Sequence, residues 1–154
     1  RFVLNINHLR SKRGTEEESN SKRMVNVDSL LVMLNTIERE EVFGDTDILL
    51  VGDYNAYAYE QPIQTIIHAG YADMVTKYDP TGYSYVYRSE AGYLDRVFAS
   101  PSMATQVKAV GAYHLNTDYF YSRGYKRGLD NTMFRYADHD PVLIQVQLSP
   151  THIQ

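Results

Sequence analysis

Residues 48–51, ILLV, are four consecutive β-prone apolar residues, and Gly52, Asp53 and Asn55 follow them at once. A strand with one face in water alternates apolar and polar side chains, so an unbroken apolar run implies a strand covered on both faces. Something must therefore lie on each side of it. Upstream, Val27, Leu30, Leu31, Leu34 and Ile37 recur at helical spacing within residues 25–37, and Gly44 stands beyond them as a stop. Further upstream, RFVLNINHL sets Phe2, Leu4 and Ile6 on one side and Val3, Asn5 and Asn7 on the other, the pattern of a half-buried strand that ends at His8. Strand, helix and strand in that order imply a right-handed parallel crossover. His8 and Asp53 are thus expected at one edge of one sheet, where the carboxyl ends of strands form the crevice that takes ligands. Residues 11–23, SKRGTEEESNSKR, show no apolar face and read as a solvated connection, with Glu16, Glu17 and Glu18 at the surface.

Downstream, PIQTIIHAGY reads as a short helix, and YSYVY, YLDRVFAS, VKAVGAYH and PVLIQVQL read as strands, making roughly six in all. The segment NTDYFYSRGYKRGLDNTMFRYADHD is long and irregular, which in a compact domain marks a functional or mobile loop. Fourteen tyrosines, several of them bunched in residues 113–125, can stack on bases or simply pack this loop. The 154 residues, 44% hydrophobic, are enough for the core of one domain. A net charge of −4 excludes a broad electrostatic grip on nucleic acid, so a polyanion must be held locally, with help from a metal. The absence of cysteine excludes disulfides and thiolate metal sites, and no apolar run is long enough to span a bilayer. The chain opens on what looks like a mid-domain strand, so a fragment is expected.

Asp and Asn are poor strand formers, and Asp53-x-Asn55 directly after a strand admits either a plain turn or a site. Its company favours a site. Asn7-His8, Asp95 in GYLDRVFAS, and Asp138-His139-Asp140 ahead of PVLIQV place the same chemistry at three other strand ends. Hard oxygen donors with histidines and no sulfur suit magnesium or manganese acting on phosphate. The run DTDILLVGDYN lacks the central glycine and closing glutamate of an EF-hand. His68, on the helix, reads as a surface or packed residue, and His152 belongs to the tail.

INHLRSK, LLVGDYNAY, GYLDRVFAS and RYADHDPVLIQV occur in the order found in the endonuclease/exonuclease/phosphatase family, whose members resemble DNase I. GAYHLNTDYF and YSYVYRSEAGYLD look more specifically like the bacterial extracellular nucleases of that family. The resemblance covers the whole chain but only the C-terminal half of the family domain. It implies an α/β fold, half of a four-layer sandwich with a mixed sheet and flanking helices, residues 1–154 being one domain whose N-terminal half is absent. It also implies metal-dependent phosphodiester hydrolysis of DNA or RNA outside the cytoplasm (secreted, periplasmic or at the cell surface), with Mg²⁺, Mn²⁺ or Ca²⁺ as cofactor and a nucleic acid as partner.

In the roles so implied, His8 sits against the scissile phosphate as acid or charged stabiliser. Asp53 orients or deprotonates the attacking water, and Asn55 contacts phosphate or that water. Asp95 buttresses His139, Asp138 is a metal ligand, and Asn7 and His114 lie on the substrate side. Asp140 caps or turns the chain before Pro141. Whether Asp53 or the Asp95–His139 pair is the base stays open. Ala137 replaces the family's serine before the Asp-His pair, and the asparagine and metal-binding glutamate of the N-terminal half have no substitute here. The fragment alone is therefore expected to be weak or inactive and to leave an apolar sheet face uncovered, pairing with another copy or with the missing half. The competing readings are a phosphomonoesterase, a phospholipid phosphodiesterase, and a non-catalytic binding half-domain.

Overall fold

The computed structural model describes residues 2–40, 46–119 and 133–148. Within them the chain forms β1 (Val3–His8), α1 (Glu16–Glu40), β2 (Ile48–Asp53), α2 (Gln61–His68), β3 (Ala72–Asp73), α3 (Met74–Tyr78), β4 (Tyr85–Tyr87), β5 (Glu90–Gly92), β6 (Asp95–Ala99), α4 (Pro101–Gln106), β7 (Val107–Ala112) and β8 (Val142–Val146). The main sheet is mixed, in the order β1-β2-β6-β3, with β1 parallel to β2 and the other pairs antiparallel. β2 lies inside the sheet, and Ile48, Leu49 and Leu50 are all buried, as the unbroken apolar run requires.

Residues on alternate sides of β2 serve two cores. Ile48 and Leu50 pack with Val27, Leu30 and Leu34 of α1 and with Ile63 and Ile66 of α2. Leu49 packs on the other face with Val97 and Ala99 of β6, Met74 and Val75 of α3, and Val107 and Val110 of β7. β7 and β8 form an antiparallel pair outside the main sheet, so the second layer is not wholly absent: the chain itself covers the sheet over β2 and β6. The cover stops short of β1. Leu4 and Ile6, which share the face of Leu49 and Val51, are 51% and 75% exposed, while Val3, Asn5 and Asn7 turn inward. The apolar side of β1 is thus its outer one, the reverse of what a free-standing half-buried strand would show.

The solvated connection expected over residues 11–23 is helical from Glu16. Thr15 Oγ1 accepts the Glu18 backbone N–H at 3.2 Å, as an N-cap does, and three glutamates in the first turn suit the positive end of the helix dipole. The inward positions of these turns are polar, which hides them from a hydrophobic pattern: Ser19 and Arg23 are buried on the face continued by Val27, Leu30 and Leu34. Arg23 donates to the Arg10 carbonyl at 3.2 Å and lies 3.5 Å from Glu60, which also pairs with Lys12. Glu16, Glu17 and Glu18 are exposed, as expected of them. Gly44, His152 and two of the four tyrosines in 113–125, Tyr121 and Tyr125, lie outside the described residues. No described helix is long and apolar enough to cross a membrane.

Candidate active site

Three strands deliver their ends to one place. In register, His8 lies opposite Asp53 and Asp53 opposite Asp95, so the three side chains share the face that carries Ile6, Val51 and Val97. Gly52 makes the approach of β1 and β2 feasible. It takes φ +132°, and a Cβ there would stand 1.9 Å from the Asn7 carbonyl oxygen, so only glycine fits beside Asp53.

Asn55 holds Asp53. Its backbone N–H donates to Asp53 Oδ1 at 2.7 Å, and its carboxamide donates to Asp53 Oδ2 at 2.9 Å and to the Leu9 carbonyl at 3.1 Å. The left-handed backbone, φ +50°, is one that asparagine tolerates. Both carboxamide protons are committed, which leaves Asn55 orienting the carboxylate from behind. Burial raises the Asp53 carboxyl above the usual carboxylate range, and the Asn55 N–H and the nearby His139 and His8 only partly offset it.

Asp95 Oδ2 accepts from Ser84 Oγ at 2.7 Å and lies 2.7 Å from His139 Nδ1. A carboxylate on Nδ1 makes that nitrogen the donor and leaves Nε2 for a substrate. Burial alone would lower the His139 pKa, but the hydrogen bond and charge of Asp95, with Asp53 and Asp138 beyond, outweigh it and raise the pKa. The Tyr85 ring packs on the imidazole at 4.6 Å between centroids. Donor atoms of Asp53, Asp95 and His139 all lie within 4.8 Å of one another.

No family model and no curated protein matches the sequence. Solved structures do. A 3'-5' exonuclease from Neisseria meningitidis matches with a TM-score of 0.59 at 15% identity over 94% of this chain. An AP endonuclease from Archaeoglobus fulgidus matches with a TM-score of 0.62 at 13% identity over 94%. A mannosyl-6-phosphatase from Bacteroides thetaiotaomicron matches with a TM-score of 0.53 at 21% identity over 83%. The chain has the endonuclease/exonuclease/phosphatase fold. It spans 61% of the length of each of the first two structures and 46% of the third. At identities this low the structural match establishes the fold alone, and the roles of residues rest on geometry.

Within that endonuclease/exonuclease/phosphatase fold the remaining expected site residues are spread out. The His8 side chain is 77% exposed, with Nε2 3.5 Å from Asp53 Oδ2. Asp138 is exposed beside His139 and is not one of the three clustered residues. Asn7 faces away: its carboxamide donates to Asn5 at 2.7 Å and to the Tyr54 hydroxyl at 3.0 Å, on the side of the sheet opposite His8. His114 belongs to a second pair, its Nδ1 2.8 Å from buried Asp140 and its ring stacked on Tyr83 at 4.4 Å.

Asp140 does not cap the turn before Pro141 but holds a distant loop, with Oδ1 accepting the backbone N–H groups of Leu115, Asn116 and Thr117. Burial would raise its carboxyl; bonds from Thr117, His114 and the backbone prevail and hold it low. Asn116 donates to the His139 carbonyl at 2.7 Å, and with Tyr136, Asp95 and His139 it lines a cleft of about 610 Å³. His68 is an exposed helix-end residue. Sequence reasoning missed Ser84 and Tyr85 as neighbours of Asp95 and His139. They sit in the stretch read as the YSYVY strand, but nothing in that stretch says which strand end it meets.

Proposed function

We propose that residues 1–154 are the C-terminal part of a domain that hydrolyses phosphodiester bonds in a nucleic acid strand with a divalent cation. The observation that carries the reading is the Asp95–His139 pair facing Asp53 across one sheet edge. Phosphoester hydrolysis needs a proton acceptor for the attacking water and positive charge where the phosphoryl and leaving oxygens gain negative charge. Asp53, made more basic by burial, suits the first task. His139, made easier to protonate and bonded through Nδ1, suits the second, with Nε2–H donating to a phosphoryl oxygen. This division favours Asp53 as base over the Asp95–His139 pair. Asp95 and Asn55 act as positioning residues, and His8, exposed beside Asp53, adds a proton or a charge at the edge of the cleft.

The donor set fits a hard cation such as Mg²⁺, Mn²⁺ or Ca²⁺, since it is built from carboxylate oxygens and imidazole without sulfur. Asp95 and His139 already satisfy each other. Asp53 is given to the attacking water, so the ion would be held by Asp138, the ligand that the motif resemblance implies, and by carboxylates from outside these residues. Bound there, Mg²⁺ supplies Lewis-acid polarisation of the phosphoryl group and offsets the charge of the leaving oxygen. The neighbours' names, an exonuclease, an AP endonuclease and a sugar phosphatase, support phosphoester hydrolysis and keep a phosphomonoester as the second reading. A location outside the cytoplasm rests on the motif resemblance to extracellular nucleases alone.

Turnover of plasmid DNA, RNA and p-nitrophenyl phosphate with Mg²⁺, and with EDTA in its place, tests the proposal. Diester cleavage that is weak for these residues alone, sensitive to EDTA and at least about a hundredfold lower in Asp53→Asn and His139→Ala is expected. Cleavage that survives either substitution rejects the assignment, and preferential release of phosphate from the monoester selects the second reading.

A further inference from the structure

The β4–β5 hairpin has no part in the chemistry above, yet it starts against the catalytic imidazole. Tyr85 contacts the His139 ring, and Tyr87, two residues on and so on the same side of the strand, lies 6.4 Å from Tyr85 with its ring within 9° of parallel. The Arg88 guanidinium sits 5.2 Å from the centre of the Tyr87 ring. Imidazole, phenol, phenol and guanidinium thus follow one another outward from the site.

Two features set this tip apart from an ordinary turn. Tyr87 is 52% exposed, which leaves about half of a large aromatic residue in water. The two-residue turn also puts Arg88 and Ser89 both in the left-handed region, at φ +51° and +69°. A turn of that type is normally made by Asn and Gly, so two residues with full Cβ substituents keep it at a conformational cost. At its base the hairpin is seated closely: a Cβ on Gly92 would stand 2.9 Å from the Tyr57 ring. The tyrosines are therefore presented on a fixed arm.

We propose that this hairpin is a stacking platform for an unpaired nucleobase next to the scissile phosphate; the proposal rests on the reading of the site as a hydrolase of nucleic acid strands. Flat rings in near-parallel orientation beside a guanidinium are what bases stack upon. A chain of net charge −4 cannot hold a strand by charge over its whole surface, so local contacts have to supply the grip, and an uncharged one beside the site can act together with the metal. Bases inside a duplex already stack on their neighbours and have no free face. Single strands and frayed ends are accordingly the preferred substrates.

Fluorescence anisotropy in EDTA, with a labelled oligothymidylate and an abasic strand of equal length and charge, tests the platform. The 154-residue chain should bind the base-bearing strand about tenfold or more tightly than the abasic one, the scale of one stacked base. Tyr87→Ala should abolish that preference and leave abasic binding unchanged, and Tyr87→Phe, which keeps the ring, should retain it. A preference that survives Tyr87→Ala overturns the platform, as does a wild-type chain without preference. If the wild type lacks the preference yet still cleaves diesters with Mg²⁺, the platform alone falls. If it binds neither strand, the reading of the site as one for nucleic acid strands falls with it.

Discussion

Asp95→Asn probes the pair on which the site depends. His139 Nδ1 and Asp95 Oδ2 are 2.7 Å apart, and the two side chains are only 21% and 20% exposed, so solvent screens the contact weakly. A hydrogen bond to a charged partner contributes about 1.5–3 kcal/mol. Asparagine preserves the volume and an acceptor for Ser84 while removing the charge. The His139 pKa is raised in the folded protein, Asp95 outweighing the effect of burial, so folding favours the protonated ring. That contribution is fully present below the ordinary histidine pKa and disappears as pH rises through the folded value. The variant should therefore lose about 1.5–3 kcal/mol near pH 5.5, or about 3–12 °C in Tm for a chain of this size, and clearly less near pH 9. Thermal unfolding followed by circular dichroism at both pH values measures the difference, and an NMR titration should show the His139 midpoint moving down in the variant. A Tm difference that is the same at the two pH values would refute the coupling between the Asp95 charge and a proton on His139.

Gly52→Ala should destabilise by about 3 kcal/mol or more, because the new Cβ meets the Asn7 carbonyl and the backbone is left-handed; soluble protein with an unchanged denaturation midpoint would contradict the close approach. Glu60→Ala should cost about 3 kcal/mol by leaving the wholly buried Arg23 without its counter-charge, whereas Arg23→Met should change stability by less than about 1 kcal/mol, both read by urea denaturation. Ile6→Asp, on the exposed face of β1, should alter stability by less than about 0.5 kcal/mol but reduce self-association in sedimentation velocity, and unchanged association would place the contact elsewhere.

Where the sequence was legible, a local pattern matched its tertiary surroundings. The run 48–51 reads correctly as a strand covered on both faces, buried through Leu50 and half-buried at Val51, and the crossover from β1 through α1 brings His8 and Asp53 side by side as their order implies. Asp95 and His139, 44 residues apart, meet as the motif order suggests. The start of α1 was hidden because Ser19 and Arg23 occupy its inward positions, although Thr15 and Glu18 hold the spacing of a capping box. The short elements β3, α3, β5 and α4 carry too few residues to show a period. Ser84 at Asp95 and Tyr85 on His139 depend on where a hairpin lands, which no local pattern encodes.

His139 and Asp140 are neighbours in the chain, yet their side chains bond to different parts of the molecule, His139 to Asp95 on the main sheet and Asp140 to the loop of residues 114–117. Two adjacent residues thus act as a double-sided key. A slip of one position between Ala137 and Pro141 would present a carboxylate to Asp95, two like charges in a half-buried spot, and an imidazole to three N–H groups that need an acceptor. Both locks would reject it together. Length between the anchor at Asn116 and β8 can therefore change only where it leaves this pair in register, and single-residue insertions or deletions at positions 138–140 should be far less tolerated than substitutions there.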